Sequence, residues 1–369
     1  MTSTPQMKPW IDAIHAYTPG KASLDGIAEP VKLSANENPL GPSPKAIAAM
    51  AAVAGQAHRY PDGGSVALRA AIARLHGLDA ERIVCGTGSD EILQLLALAY
   101  AGVGDEVLFA RNSFMVYPIA ARRAGATPIE APDDDYAADV DALLAAVTPA
   151  TRVVYLANPN NPTGTLISAS EVRRLHAGLR GDIVFVYDAA YGEYLDDPAY
   201  ETGFDLARDH DNVIVTRTFS KIYGLAAERI GWGYAAPGII DAINRIRGPF
   251  NVPSAGAAGA IAALGDQPWL EKCRVHNKQW RTWLTGEVAR MGNAGLRAIP
   301  SAGNFLMIEF PEAGAVSAEA ANTALMQAGF LVRWLPGQGL GRCLRITIGT
   351  EAETRGVAAA LRNFVESAG

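Results

Sequence analysis

The stretch Asp182–Tyr191 reads DIVFVYDAAY, an apolar run followed directly by an acid and, three residues later, a tyrosine. The apolar residues are continuous, which is typical of a strand buried on both faces of a sheet. Four other segments have the same character: Arg82–Cys85, Asp105–Phe109, Arg152–Ala157 and Asn212–Thr216. Amphipathic helical patterns separate them, so the sequence predicts an α/β fold whose mostly parallel sheet is sandwiched by helices.

The helical patterns between the strands carry recognisable ends. Ser65–His76 is followed by Gly77, a residue that commonly terminates helices. Ser168 and Glu171 have the spacing of a capping box, which predicts the start of another helix.

The pattern changes after about residue 265. A long helical segment from Trp269 to Met291, with tryptophans predicted as core anchors, precedes shorter strands and a last helix from Glu351. The Gly- and Pro-rich opening is typical of an extended arm. We therefore predict an arm over 1–40, a large domain over 41–265 and a smaller α+β C-terminal domain over 266–369.

Composition excludes several classes of protein. The chain has 369 residues, 49% of them hydrophobic, and a formal net charge of -6. These values favour a globular protein with a sizeable core and argue against a nucleic-acid or anionic-membrane binder. The start has no signal-peptide character and no run reaches transmembrane length.

Cysteine and histidine usage predicts neither a disulfide framework nor a metal site. The three cysteines (Cys85, Cys273 and Cys343) are widely separated, and none of the six histidines has paired ligand spacing. No GxSxG motif marks a serine hydrolase. The expected location is the reducing cytoplasm.

Lys221 is the first candidate for chemistry, within TRTFSKIYGLAAERIGWG (Thr216–Gly233). Removal from water would lower its pKa and make the neutral amine a nucleophile toward an aldehyde. Thr218, Ser220 and Arg229 flank it and could hold a phosphate monoester. The alternative is a solvated lysine at the end of a loop.

Three further clusters follow predicted strands. GTGSDE (Gly86–Glu91) opens a helix whose first amides could bind an anion, although a capped helix start explains it almost as well. Asp188 with Tyr191 could face a protonated pyridine nitrogen, or Asp188 could be an N-cap. NPNNPTG (Asn158–Gly164) is a tight loop or simply a turn. Together with Lys221 and Arg229, these clusters predict an aldehyde cofactor with a phosphate tail.

The chain closely resembles the class I/II aminotransferases among the fold-type I pyridoxal-phosphate (PLP) enzymes, and within them the branch that acts on histidinol phosphate. The resemblance runs nearly end to end and rests on these segments: YTPGK (Tyr17–Lys21), LSANENPLGPSP (Leu33–Pro44), HRYPDG, GTGSDE, NPNNPTG, DAAYGEY, TFSKIYGLAAERIGW and LRITIGT (Leu344–Thr350).

The resemblance implies a role for each cofactor-binding residue. Lys221 matches the lysine that condenses with the cofactor aldehyde and then shuttles the substrate proton, and Asp188 matches the partner of the pyridine nitrogen. Asn161 and Tyr191 match the pair that hydrogen-bonds the phenolic oxygen. Phe114 matches the aromatic residue that stacks on the cofactor ring. The residues that match the phosphate-binding set are Ser89, Asp90, Thr218, Ser220 and Arg229. Tyr60 matches a tyrosine that reaches the neighbouring subunit's cofactor phosphate, which implies a homodimer with shared active sites and an arm that packs on the small domain and the partner.

The substrate side is also implied by the resemblance. Arg345 matches the arginine that grips the substrate α-carboxylate, with Asn36 as a possible assistant. Arg333 and Tyr17 match contacts to a distal substrate phosphate, although Arg333 could equally be a structural salt-bridge partner. The expected reaction transfers an amino group between L-histidinol phosphate and 2-oxoglutarate, giving imidazole-acetol phosphate and L-glutamate.

Other functions stay open at this point. An aromatic amino acid aminotransferase is the first alternative, and Trp334 could favour an aromatic side chain. A phosphothreonine-type PLP decarboxylase is less favoured. A PLP-binding regulator would need a DNA-binding domain ahead of residue 33, and a degenerate scaffold would not keep the intact set of cofactor residues.

Overall fold

The computed structural model describes residues 4–14, 23–24 and 26–368. In these ranges no helix combines the length and the apolar character needed to cross a bilayer.

The strands of the described residues form two larger sheets and two short pairs. In chain order they are β1 Val31–Lys32, β2 Ile83–Thr87, β3 Glu106–Ala110, β4 Thr127–Ala131, β5 Asp133–Asp134, β6 Ala137–Ala138, β7 Thr151–Ala157, β8 Val184–Asp188, β9 Val213–Thr218, β10 Ile230–Ala235, β11 Arg297–Ile299, β12 Phe305–Glu309, β13 Phe330–Leu331, β14 Arg333–Leu335 and β15 Leu340–Thr347.

The helices are α1 Pro9–Asp12, α2 Pro44–Val53, α3 Val66–His76, α4 Gly88–Tyr100, α5 Val116–Ala124, α6 Val140–Ala145, α7 Ala169–Gly178, α8 Phe204–Asp209, α9 Pro237–Ile246, α10 Ser254–Leu264, α11 Gln267–Arg290, α12 Ala318–Gln327 and α13 Glu351–Ala368. Most of the helices lie between the strands in the chain, although α2 and α3, and then α9 to α11, follow one another directly.

The predicted helix ends are present. Gly77 follows α3 in the left-handed conformation with φ +64°, where a glycine is least strained. The Ser168 hydroxyl accepts a hydrogen bond from the Glu171 backbone N–H at 3.3 Å and caps α7.

The large sheet has seven strands in the order β2–β10–β9–β8–β7–β3–β4. All five predicted strands belong to it. The strands from β9 across to β4 pair in parallel, whereas β10 runs antiparallel to both neighbours, β2 and β9. The prediction of a mostly parallel sheet is confirmed, but β4 and β10 were not predicted.

Successive side chains of the central strands enter two different hydrophobic cores. On β8, Phe185 and Tyr187 pack into one cluster, while Val184 and Val186 pack into the other. Because side chains alternate between the faces of a strand, both faces must be covered. The continuous apolar runs therefore reflect a sheet buried between two layers of helices.

The C-terminal part contains a second, antiparallel sheet in the order β11–β12–β15–β14. Its core joins residues of α11, α12 and α13, and Trp280 of α11 is buried in it while Trp283 packs against it. Trp269 packs against the core of the large sheet instead. The third predicted tryptophan anchor thus belongs to a different core.

The segment that leads into the large sheet attaches first to this C-terminal part. β1 pairs in parallel with β13, and Leu33 enters the C-terminal core. Residue 36 of the arm thereby lies beside the loop after β8, where the Asn36 side chain donates to the Tyr191 hydroxyl at 2.9 Å.

Gly224 lets residues 41–42, which follow the arm, cross closely over the loop after Lys221. It has φ +71°, and a Cβ there would lie 2.6 Å from the backbone nitrogen of Pro42. We expect Gly224→Ala to destabilise the protein by at least about 2 kcal/mol, because it adds backbone strain to a steric clash. The free energy of unfolding in denaturant measures this.

Gly181→Ala is the matched control, since a Cβ at this exposed glycine would meet nothing within 4 Å. Equal free energies of unfolding for the two variants would contradict the proposed close crossing.

Candidate active site

A cavity opens where the carboxyl ends of the central parallel strands meet, which is where α/β sheets commonly hold ligands. Its walls come from the loops after β7, β8 and β9 and from the start of α4. It is lined by Ser89, Asp90, Phe114, Ala157, Pro159, Asn161, Asp188, Ala190, Tyr191, Thr218, Ser220, Lys221 and Arg229. Apart from Tyr60, every residue predicted to bind the cofactor lines this one cavity.

The start of α4 forms one end of the cavity. Gly88 has φ +76°, and its N–H donates to the Arg229 carbonyl at 2.9 Å. A Cβ on Gly88 would lie 2.6 Å from Arg229 Nη2, and a Cβ on Gly231 would collide with the Ser89 backbone nitrogen. The two glycines therefore allow β10 to lie against the helix start, whose first N–H groups lack partners within the helix.

Arg229 and two hydroxyl side chains complete this end. Arg229 Nη1 donates to Ser220 Oγ at 3.1 Å, and the Ser220 N–H donates to Thr218 Oγ1 at 3.1 Å. A guanidinium, hydroxyls and helix amides around one space suit a phosphate monoester.

Asp90 contributes to this end through its backbone. Its carboxylate accepts a hydrogen bond from Gln94 Nε2 at 2.8 Å, and burial raises the pKa of this carboxyl. The backbone N–H of Asp90 in the first turn of α4, rather than its side chain, is thus the group suited to an anion.

Asp188 lies at the end of β8 and is only 4% exposed. Its carboxylate accepts hydrogen bonds from Tyr117 (2.8 Å) and Thr216 (2.9 Å). Burial raises the pKa of Asp188, and these two neutral donors oppose that shift without cancelling the charge. A cationic partner, such as a protonated ring nitrogen, would stabilise the ionised carboxylate.

Sequence reasoning missed Tyr117 and Thr216. Tyr117 follows the predicted site residue Phe114 by three positions, and Thr216 is the first residue of the segment TRTFSKIYGLAAERIGWG. Thr216 precedes Lys221 by five residues and faces Asp188 across adjacent parallel strands, so strand pairing was the available signal.

Lys221 follows β9 and faces the same cavity. Its Nζ lies 3.4 Å from the Ala35 carbonyl and 5.7 Å from the centre of the Tyr191 ring. Burial, followed by the positive charges of Arg345 and Arg229, lowers the pKa of Lys221 to about 8. Near neutral pH this amine is far more often uncharged than an ordinary lysine, as a nucleophile or proton acceptor must be.

A second cavity adjoins the first and shares Phe114, Asn161 and Lys221 with it. The first cavity has a volume of about 120 Å³ and the second a volume of about 280 Å³. The second cavity is lined by Lys32, Ser34, Ala35, Asn36, Phe114, Met115, Asn161, Lys221, Arg333, Gln338 and Arg345. Its charged lining residues are all basic, so it suits an anionic small molecule next to the reactive amine.

Arg345 is held at the junction of the two cavities. Its Nη2 donates to the Ser34 carbonyl at 2.7 Å, and its Nη1 donates to Asn161 Oδ1. Arg333 and Asn36 line the second cavity together with Arg345. Tyr17 lies outside the described residues.

Lys32, Met115 and Gln338 are lining residues that sequence reasoning missed. Lys32 directly precedes the LSANENP segment, so its neighbourhood was the available signal. Trp334 does not line either cavity; its Nε1 donates to the Gly341 carbonyl at 2.9 Å, and its ring packs on the C-terminal core.

Tyr60 lies apart from both cavities. It is 83% exposed, and its ring stacks on Phe250 with the ring centres 4.8 Å apart. Its predicted contact with a neighbouring subunit stays a prediction for a single chain.

The part of the chain that the structure describes contains no group of three or more His, Cys, Asp or Glu residues placed to hold a metal ion.

Comparisons with known proteins agree with this geometry. A family model described as aminotransferase class I and II matches residues 28–361. Histidinol-phosphate aminotransferases of Sphingopyxis alaskensis and Zymomonas mobilis are 59% and 56% identical, covering 98% and 100% of both chains. The crystal structure of the histidinol-phosphate aminotransferase from Sinorhizobium meliloti in complex with pyridoxal-5'-phosphate has a TM-score of 0.89 at 31% identity, covering 99% of each chain.

The depressed pKa of Lys221 leads to a test. We expect Arg345→Gln to raise this pKa by roughly half a unit or more, because it removes a nearby positive charge. Hydroxylamine treatment first frees the Lys221 amine from any bound aldehyde. The pH dependence of Lys221 acylation, followed by peptide mass spectrometry, then gives the pKa of the amine.

Arg245→Gln is the control, since Arg245 forms an exposed ion pair with Asp241. An unchanged titration of Lys221 in Arg345→Gln would show that the guanidinium is not what lowers the pKa.

Proposed function

Since the chain belongs to the class I and II aminotransferase family, we propose that it is a pyridoxal-phosphate enzyme that transfers the amino group between L-histidinol phosphate and 2-oxoglutarate. The products are imidazole-acetol phosphate and L-glutamate, and histidine biosynthesis uses the reaction in the direction of histidinol phosphate. The full-length similarity to histidinol-phosphate aminotransferases supports this substrate.

One observation carries the proposal. Lys221, Asp188 and the phosphate-binding end of α4 line a single cavity, which opens directly onto a basic cavity large enough for a small substrate. The lysine is suited to an aldehyde, the buried acid to a ring nitrogen and the glycine-lined helix start to a phosphate. An aldehyde, a ring nitrogen and a phosphate occur together in pyridoxal phosphate.

When bound, pyridoxal phosphate supplies an aldehyde for the substrate amine and a ring that accepts electrons from the substrate Cα. Asp188 holds a proton on the ring nitrogen. Phe114 offers an aromatic face, and Asn161 and Tyr191 offer hydrogen bonds to the phenolic oxygen. Lys221 accepts the Cα proton and returns it, a task suited to an amine whose pKa is about 8.

Arg345 orients glutamate by a forked contact to its α-carboxylate, so that the Cα–H bond stands perpendicular to the plane of the cofactor ring, and it grips 2-oxoglutarate in the same way. The phosphate of histidinol phosphate lies toward Arg333 and Lys32. Lys32 forms a half-exposed ion pair with Glu37 at 3.6 Å, a weak contact that an incoming phosphate can replace.

The active enzyme is a cytoplasmic homodimer in this proposal. Tyr60 reaches the cofactor phosphate of the partner, which accounts for its exposure and its distance from the cavities of its own chain. Three free, buried cysteines suit a reducing compartment. The chain divides into an arm over 1–40, a large domain over 41–265 and a small domain over 266–369, and the pairing of β1 with β13 supports an arm that packs on the small domain.

The substrate is tested by comparing kcat/KM for histidinol phosphate, phenylalanine and tyrosine, with Lys221→Ala as the inactive control. We expect histidinol phosphate to be the preferred donor. Arg333→Ala should reduce its kcat/KM by about 10- to 150-fold, because a charge-assisted phosphate contact contributes roughly 1.5–3 kcal/mol. The values for phenylalanine should change little.

Equal losses of kcat/KM for histidinol phosphate and for phenylalanine in Arg333→Ala would show that Arg333 does not recognise the phosphate. A preference of the wild type for phenylalanine or tyrosine would favour the aromatic aminotransferase instead.

The shared active site is tested by subunit complementation. Tyr60→Ala and Lys221→Ala subunits are co-refolded in equal amounts with PLP. About half of the dimers are then mixed and each has one intact site, so about a quarter of the wild-type sites should recover.

A mixture of Lys221→Ala with the double variant Tyr60→Ala, Lys221→Ala is the control and should stay inactive. Mixed dimers without recovered activity would contradict a role for Tyr60 across the interface.

A further inference from the structure

Asn36 is buried at the meeting point of the arm, the large sheet and the C-terminal sheet. It is 1% exposed and has φ +57°, a left-handed conformation that asparagine tolerates better than most residues. The Asn304 side chain donates to the Asn36 carbonyl at 3.0 Å and holds its backbone. The side-chain amide therefore has little freedom to turn away.

Thr347 determines which way this amide faces. The Asn36 backbone N–H donates to Thr347 Oγ1 at 2.9 Å, so the hydroxyl oxygen already acts as an acceptor. The hydroxyl hydrogen is then available to Asn36 Oδ1, 3.1 Å away. With its oxygen bound to Thr347, the amide presents Nδ2 to the Tyr191 hydroxyl at 2.9 Å.

This contact makes the oxygen of Tyr191 an acceptor toward Asn36. The hydrogen of the same hydroxyl must point elsewhere, and Tyr191 lines the cavity together with Asn161 and Lys221. Burial raises the pKa of Tyr191 to about 12, so the hydroxyl keeps its hydrogen at physiological pH.

We propose that Asn36 is a positioning residue that fixes the Tyr191 hydroxyl as a hydrogen-bond donor into the cofactor cavity. It acts through Tyr191 on the phenolic oxygen of the bound cofactor, rather than on the substrate. This assignment rests on the proposed cofactor but not on the proposed substrate.

The expected consequence is spectroscopic. A hydrogen bond to the phenolic oxygen stabilises its negative charge and lowers the pKa of the yellow chromophore that Lys221 forms with PLP. Asn36→Gly removes the amide and tolerates the left-handed backbone. We expect the absorbance titration of the holoenzyme to move upward by roughly half to one pH unit, the equivalent of one ordinary hydrogen bond.

A double-mutant comparison separates positioning from general loosening. In a Tyr191→Phe background, Asn36→Gly should produce no further shift of the chromophore pKa, because the hydroxyl it orients is absent. Thr347→Val is a second route to the same effect, since it removes the group that fixes the amide. It should shift the titration upward only when Tyr191 is present.

Asn38→Gly is the matched control from the same segment. The Asn38 amide donates to the Ile222 carbonyl and to the Cys273 sulfur, not to Tyr191. It should leave the chromophore pKa unchanged.

Equal shifts with and without Tyr191, or no shift in Asn36→Gly and in Thr347→Val, would overturn the inference. A wild type that forms no chromophore with PLP would overturn the proposed cofactor as well. A wild type that forms it but does not use histidinol phosphate would overturn the proposed substrate alone.

Discussion

The removal of one amine from water is the constraint on which the site depends. Lys221 lies near two other cations, Arg345 and Arg229, and has the Ala35 carbonyl as a hydrogen-bond partner. Burial and these like charges favour the neutral amine, while Glu37 and Asp188 oppose the shift. The resulting pKa near 8 lets one group serve as both nucleophile and proton carrier.

The same cavity also contains a buried acidic side chain, Asp188. Asp188 is buried between neutral hydroxyl donors, so its charge is stabilised but not neutralised. A buried carboxylate in this state binds a cation strongly. The ring of Tyr117, one of these donors, stacks on the ring of Tyr155 with the ring centres 4.5 Å apart and the planes nearly parallel, which holds the donor in place.

The substrate side is assembled from parts far apart in the sequence. Arg345 and Thr347 lie on the same face of β15, because side chains alternate along a strand. Arg345 contacts Asn161 and the Ser34 carbonyl, and Thr347 contacts Asn36. One strand of the C-terminal sheet thus holds the amides of Asn161 and Asn36, and it couples the packing of this sheet to the electrostatics of the cofactor cavity.

The sequence alone was enough to predict the parallel core of the large sheet and most of the residues that line the first cavity. Apolar runs and the motifs after them are local signals, and Asp188, Lys221 and Asn161 each directly follow, or lie within five residues of, a strand end. β10 escaped prediction because its residues, IGWGYA, contain two glycines; packing against α4 requires Gly231, and Gly233 lies against Ile214 of β9. The tertiary structure alone decided that Tyr117 donates to Asp188 and which way the Asn36 amide faces. These depend on contacts between residues up to 311 positions apart, and no local pattern records which way a buried amide or hydroxyl must face.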